Sequence, residues 1–184
     1  MKYKTLYGCK ILVETGTYKG DMIEAQLNNF DEIISIELSL ELWEKAKNRF
    51  KYHSKVNLIQ GDSGKELQNV CTNLKDRTLF WLDGHYCGGN STKGDLECPI
   101  YNELKAIFKS PIKHVILIDD ARYFIGKRDY PTIKELKNFR IRHLSDNHFI
   151  CSRRVCDHFS HQVLEDALFH QVPVVAVTVL VQVV

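Results

Sequence analysis

Short continuous apolar runs alternate along most of the chain with segments whose apolar residues recur at helical spacing, a pattern that predicts βαβ units around a parallel sheet. Strands are expected at Lys10–Glu14, Glu32–Glu37, Val56–Gln60, Leu79–Asp83 and His114–Asp119. The unbroken apolar character of Ile33, Ile34 and Ile36, or of Val115 to Ile118, is that of strands covered on both faces. Helices are expected at Lys19–Asn28, Leu40–Lys51, Lys65–Leu74, Pro99–Lys109 and Thr132–Arg140, with Ser39 as an N-cap and Pro99 and Pro131 at helix starts. The predicted architecture is α/β: a doubly wound, mostly parallel sheet with helices on both faces. His148 to Cys151 is a candidate sixth strand.

Two stretches fit no regular element, Gly84 to Glu97 and Tyr123 to Tyr130. Both follow predicted strands directly. Ligands of open α/β sheets bind outside the carboxyl ends of the strands, so these loops are candidate walls of a site.

Length and composition narrow the classes. The 184 residues, 44% hydrophobic and 26% charged, suit one globular domain able to fold without staples. With 25 basic and 23 acidic residues the net charge is +2, too small and too evenly spread for bulk nucleic acid or an anionic membrane. Small molecules are the better partner. The six cysteines form no CxxC, and the charged opening MKYKTLYGCK does not read as a signal peptide, so reduced thiols and a cytoplasmic location are expected. The apolar tail Val172 to Val184 is shorter than the roughly 20 residues of a membrane-spanning helix.

The chemistry-bearing residues gather at strand ends. The first strand runs out through Glu14-Thr15-Gly16-Thr17-Tyr18-Lys19-Gly20. Glycine there permits a tight turn close to a ligand, with the following helix start offering N–H groups to an anion; a plain structural turn is the equal alternative. The spacing is neither GxGxxG nor GxxxxGK[ST], which argues against a dinucleotide fingerprint and an ATP loop. Glu37 closes the second strand, where a carboxylate can accept from both hydroxyls of a ribose. The third ends in Gly61-Asp62-Ser63, placed to reach an adenine edge or to cap the next helix.

This order of motifs resembles the class I S-adenosylmethionine-dependent methyltransferase family over Tyr3 to Ile150. The resemblance implies a Rossmann-like fold in which Glu14, Thr15, Gly16, Thr17 and Gly20 hold the methionine part of the cofactor, Glu37 the ribose, and Asp62 with Ser63 the adenine.

The fourth strand ends in Asp83-Gly84-His85-Tyr86 and the fifth in Asp119-Asp120-Ala121-Arg122. Asp83, Asp119 and Asp120 could share one hard divalent ion; otherwise Asp119 or Asp120 caps the next segment and Asp83 meets Arg122 or Lys127. LDGHY, GGxxxKGD and IDD together resemble the metal-dependent O-methyltransferases of small molecules such as macrolide sugars. That implies Mg2+ on the three aspartates, a small-molecule acceptor with a hydroxyl group, and His85 as general base or as a group that positions Asp83 or the substrate. Tyr123, Phe124 and Tyr130 either line the acceptor pocket or cover the core.

The resemblance stops near residue 150, dividing the chain into a methyltransferase-like part, 1–150, and a divergent segment, 151–184. Cys151, Cys156, His158 and His161 are spaced poorly for tetrahedral zinc. The Val-rich end has the propensity of a last strand, and its exposed edge would permit a homo-oligomer. Two competing functions are a catalytically silent cofactor-binding domain acting as a partner or regulator, and a metal-dependent hydrolase. The hydrolase leaves Glu37 and the glycine turn unexplained.

Overall fold

The computed structural model describes residues 2–86, 94–142 and 148–151. A short helix α1 (Lys2–Tyr7), which the sequence pattern did not signal, leads into β1 (Ile11–Thr15), α2 (Asp21–Gln26), β2 (Glu32–Glu37), α3 (Leu40–Arg49) and β3 (Val56–Gln60). Then follow α4 (Ser63–Asn73), β4 (Thr78–Leu82), α5 (Ile100–Phe108), β5 (Val115–Ile118), a 3-10 turn (Ala121–Tyr123), α6 (Ile133–Arg142) and β6 (His148–Cys151). The strands form one sheet in the order β3-β2-β1-β4-β5-β6 with every neighbouring pair parallel. This is a Rossmann-like α/β fold, as the alternating pattern predicts, whose strand order reverses between β1 and β4.

Strand alternation separates two cores. Ile11, Val13, Ile34, Ile36, Phe80 and Leu82 pack with Leu67 of α4, Leu104 of α5 and Leu136 of α6. Leu12, Ile33, Leu79 and Trp81 pack on the opposite face with Ile23 of α2, Ala46 of α3 and Tyr3 of α1. Right-handed crossovers impose that division: α2 and α3 carry the chain outward from β1 on one face, and α4 to α6 carry it the other way on the second. The expected helix starts hold in their chemistry. Ser39 Oγ accepts from Leu42 N at 3.3 Å, and Pro99 is the N-cap residue of α5. Pro131 precedes a capping box in which Thr132 Oγ1 accepts from Glu135 N while Glu135 Oε2 accepts from Thr132 N.

Cys9, Cys71 and Cys98 are free and buried, their thiols raised to about 11, 12 and 12 by burial. They are structural, unreactive cysteines. Among the described residues no helix is long and apolar enough to cross a membrane. Cys156, His158, His161 and the Val172–Val184 tail lie outside the described residues, and of Cys151 only the strand backbone is described.

His114, fully buried before β5, accepts from Thr78 N at Nδ1 (3.2 Å) and meets Ser110 Oγ at Nε2 (2.9 Å). The accepting Nδ1 fixes the proton on Nε2. Burial, with help from Arg77, lowers the ring from 6.5 to about 4. The unfolded chain therefore binds this proton first, and stability should fall between pH 6.5 and pH 4 by of the order of 1–3 kcal/mol. Urea midpoints across that window should fall less for His114→Gln than for the wild type; equal slopes would assign the loss elsewhere.

Candidate functional site

The strand tips stand in line along the carboxyl edge of the sheet: Thr15 is level with Ile36 and Leu82, Glu37 with Gln60, and Leu82 with Ile118. At the centre, Gly16 adopts φ +84°, and a Cβ there would lie 2.6 Å from the Asp83 carbonyl oxygen. Gly20, at φ +82°, would place a Cβ 2.5 Å from the Phe50 ring. Both glycines of the turn are thus demanded by packing inside the protein. The helix that follows has six residues with Asp21 and Glu24 in its first turn, so it is ill suited to hold an anion.

A hydroxyl chain supports the turn from below. Glu14, 2% exposed, accepts from Ser35 Oγ at 2.5 Å, so the Ser35 proton is spent and Thr17, 2.6 Å away, donates to Ser35. Burial, opposed by the Ser35 bond and reinforced by Glu37 and Asp21, raises Glu14 to about 8. Glu37 ties the turn from the side, its two oxygens accepting from Tyr18 N and Ser39 N at 2.8 Å each. Asp62 Oδ1 accepts from Gly64 N at 2.8 Å and caps α4, while the Ser63 hydroxyl donates to Glu103 at 2.6 Å. The caps and turn contacts raised by the sequence are therefore real. They leave Glu37 with further lone pairs on both oxygens and Asp62 with its second oxygen.

The candidate metal-ligating residues gather at the tips of β4 and β5. Donor atoms of Asp83, His85 and Asp120 lie within 4.8 Å of one another. His85 Nε2 is 3.5 Å from Asp120 Oδ2 and 3.7 Å from Asp83 Oδ1. Asp119, expected in the set, stands beside it: its Oδ1 accepts from Asp120 N at 2.8 Å. Asp120 is 2% exposed and takes φ 51°, ψ 41°, a left-handed conformation that strains a residue other than glycine. Arg122 pairs with Asp120 at 3.3 Å. Burial, then the charges of Asp119 and Asp120, push Asp83 well above the usual carboxylate range, and burial with Asp120 lifts Asp119 to about 6. Crowded carboxylates with an imidazole between them are a donor set that a divalent cation would relieve.

Tyr123, Phe124 and Tyr130 surround the His85 ring at centroid distances of 6.3, 6.2 and 5.8 Å. They act as its cage. Tyr130 donates to Tyr86 O at 2.7 Å, Asp129 accepts from Glu97 N at 2.8 Å, and Arg128 pairs with Glu97 at 3.0 Å. The two irregular stretches are thus fastened to each other, although 87–93 lie outside the described residues. Sequence reasoning missed Glu103, whose signal was an acid on the apolar stripe Ile100, Leu104 and Ile107 of α5. A cleft of about 390 Å³ against α4, with Ile11, Ile59 and Asn73 in its wall, lies apart from these groups.

No family model matches the sequence, and no curated protein matches it. Solved structures with a similar fold include Pen from Bacillus thuringiensis (TM-score 0.60, 13% identity, covering 79% of this chain and 50% of that one). The chain thus spans about half the length of Pen. The methyltransferase domain of bacterial-CtHen1-CN matches at TM-score 0.50 and 15% identity, over 77% of this chain and 78% of its own. A short-chain dehydrogenase/reductase from Vibrio parahaemolyticus matches at 0.51 and 13%, over 77% and 83%. At such identities the likeness is one of fold.

Glu14 supplies a pH test. Because the folded protein holds this proton up to about 8 while an exposed glutamate releases it near 4.5, the folded state binds more protons in between. Stability should fall as pH rises through that interval and level off above it. Glu14→Gln should match the wild type near pH 4 and exceed it at pH 8 by about 1–4 kcal/mol. Thermal melts of the two proteins at both pH values check the difference.

Proposed function

We propose that this chain is an S-adenosylmethionine-dependent O-methyltransferase acting on a small hydroxylated molecule with Mg2+ assistance. The observation that carries the reading is the dual position of Asp83. Its backbone closes on the Gly16 turn, and its carboxylate joins His85 and Asp120, so a cofactor half and an acceptor half would meet at one residue. The methyltransferase likeness of the fold supports it, and the absence of GxGxxG sets this chain apart from a dinucleotide fingerprint.

The residues fit the two groups in their chemistry. Glu37 keeps a free lone pair on each oxygen, the number needed for a ribose diol, and Asp62 Oδ2 stands at the next tip. Asp83 and Asp120, with Asp119 beside them, would hold the cation. Bound there, a divalent ion lowers the pKa of an alcohol and orients it. With Asp83 and Asp120 on the cation, His85, whose Nε2 lies 3.7 and 3.5 Å from their oxygens, would take the acceptor's proton and not serve as a ligand. The Tyr123, Phe124 and Tyr130 cage excludes water from the ring.

Calorimetry with S-adenosylhomocysteine tests the first half, and absence of binding at millimolar concentration would overturn the reading. Glu37→Ala should weaken that binding about 10- to 100-fold, the effect of losing hydrogen bonds to a charged acceptor, while sparing metal binding. Asp120→Asn should do the reverse. Methyl transfer to any of a panel of sugars and phenols would exclude a catalytically silent domain.

A further inference from the structure

Tyr18 stands in the turn between β1 and α2 in a conformation that an aromatic residue does not choose. Gly20 N closes the turn by donating to Thr17 O at 2.8 Å, and Tyr18, the first of its two central residues, has φ +48°. Turns that need positive φ at that position take glycine, and a bulky side chain there is strained. Such strain persists only where the surroundings over-determine the backbone.

The surroundings do so from both sides. Upstream, Gly16 N donates to Ile36 O at 2.9 Å and the Thr17 hydroxyl meets Ser35 Oγ at 2.6 Å. Downstream, Arg49 from the last turn of α3 donates through Nη1 to Lys19 O at 2.5 Å and to Asp21 Oδ1 at 2.8 Å. Its guanidinium lies over the Phe50 ring, 5.2 Å from the centroid, and that ring fills the space where Gly20 lacks a Cβ. Between the two anchors, the Thr17–Tyr18 peptide plane is gripped at both ends. Its C=O accepts from Gly20 N, and its N–H donates to Glu37 Oε2 at 2.8 Å. The φ of Tyr18 is the rotation between that plane and the chain that Arg49 holds. Were Arg49 to let go, Tyr18 would relax to negative φ, the turn would open, and the plane would tilt its N–H away from Glu37. Glu37 would then keep the Ser39 N–H on Oε1, at 2.8 Å, as its one backbone partner.

We propose that Arg49 is a positioning residue for Glu37: by holding Lys19 O and Asp21 it keeps Tyr18 left-handed, and so keeps the Thr17–Tyr18 N–H on the Glu37 carboxylate. The consequence for a ligand rests on the reading of Glu37 as the ribose-binding group; the hold itself does not.

The test uses Arg49→Ala, with Arg49→Gln as a milder second variant, each alone and combined with Tyr18→Gly in the full chain. Glycine adopts positive φ without strain, so a turn with glycine at 18 no longer needs the hold from α3. Hydrogen exchange of the amide at position 18 reports its bond to Glu37, with Leu79 to Leu82 as internal control. Calorimetry with S-adenosylhomocysteine reports how well Glu37 is placed. Each Arg49 variant should lower both the protection at 18 and the affinity about tenfold, the effect of one lost hydrogen bond. Adding Tyr18→Gly should restore both to within about threefold of the wild type, a coupling between sites that share one turn. A role confined to stability predicts the opposite, because glycine adds chain entropy to a turn already loosened. Unchanged protection at 18 in both Arg49 variants, protection that glycine fails to restore, or lost protection with unchanged affinity overturns the proposal. If the wild type binds no S-adenosylhomocysteine while Arg49→Ala exposes position 18 and glycine restores it, the cofactor reading falls and the hold stands. If the wild type binds it and the Arg49 variants change neither readout, the hold falls and the cofactor reading stands.

Discussion

The contact on which the rest of the site depends is the one between the tips of β1 and β4, where Gly16 stands against the Asp83 carbonyl with no room for a Cβ. The sheet reverses its winding there, so the loops after β1 and β4 diverge to opposite sides and leave a crevice between them. Any side chain at 16 would push apart two strands that share Thr15 as a common hydrogen-bonding post: its carbonyl accepts from Asp83 N at 3.1 Å, and its hydroxyl serves the corner beyond. The absence of one methyl group at Gly16 thus fixes the distance between the half of the edge that carries Glu37 and the half that carries Asp83.

That edge is acidic in a way that costs folding energy. Glu14, Glu37, Glu103 and Asp120 are all buried, and of these only Asp120 has an arginine beside it. The others are met by neutral donors: Ser35 for Glu14, two backbone N–H groups for Glu37, the Ser63 hydroxyl for Glu103. Glu14 keeps its proton up to about 8, whereas backbone amides stabilise the Glu37 carboxylate without removing its charge, so negative potential survives at that strand tip. A protein selected for stability alone would place apolar residues or ion pairs at such positions. The arrangement suits a site that receives positive charge, whether the sulfonium of the proposed cofactor or a divalent ion.

The strands were legible because their apolar runs are continuous; observed ends differ from the expected ones by a residue or so, as at Thr78–Leu82 against Leu79–Asp83. Polar tips such as Glu37 and Asp62 stood out for the same reason, being polar residues just past apolar runs. Partnerships across the sheet were not legible. That Gly16 answers to Asp83, or that Glu103 on α5 answers to Ser63, depends on which elements become neighbours, and β1 lies beside β4 although more than sixty residues separate them. The acidic cluster shows the same limit on a smaller scale: the string Asp119-Asp120 suggests two equivalent candidate ligands, but the left-handed turn at Asp120 brings that carboxylate to His85 and leaves Asp119 on the Asp120 N–H.

The fold by itself does not choose between a methyltransferase and a dehydrogenase, since solved structures of both kinds share it. The choice turns on what the first turn can hold. A dinucleotide needs helix N–H groups and glycine backbone at its pyrophosphate, whereas here the short α2 opens with Asp21 and Glu24, and the turn itself is clamped by Arg49, whose guanidinium is spent on Lys19 O and Asp21. A pyrophosphate would meet like charge; a cofactor whose reactive centre is a cation would not. Electrostatics at the β1 turn therefore favours the sulfonium over the dinucleotide, and the acidic β4–β5 tips favour an acceptor whose hydroxyl is brought in by a metal ion over one that must give up a hydride.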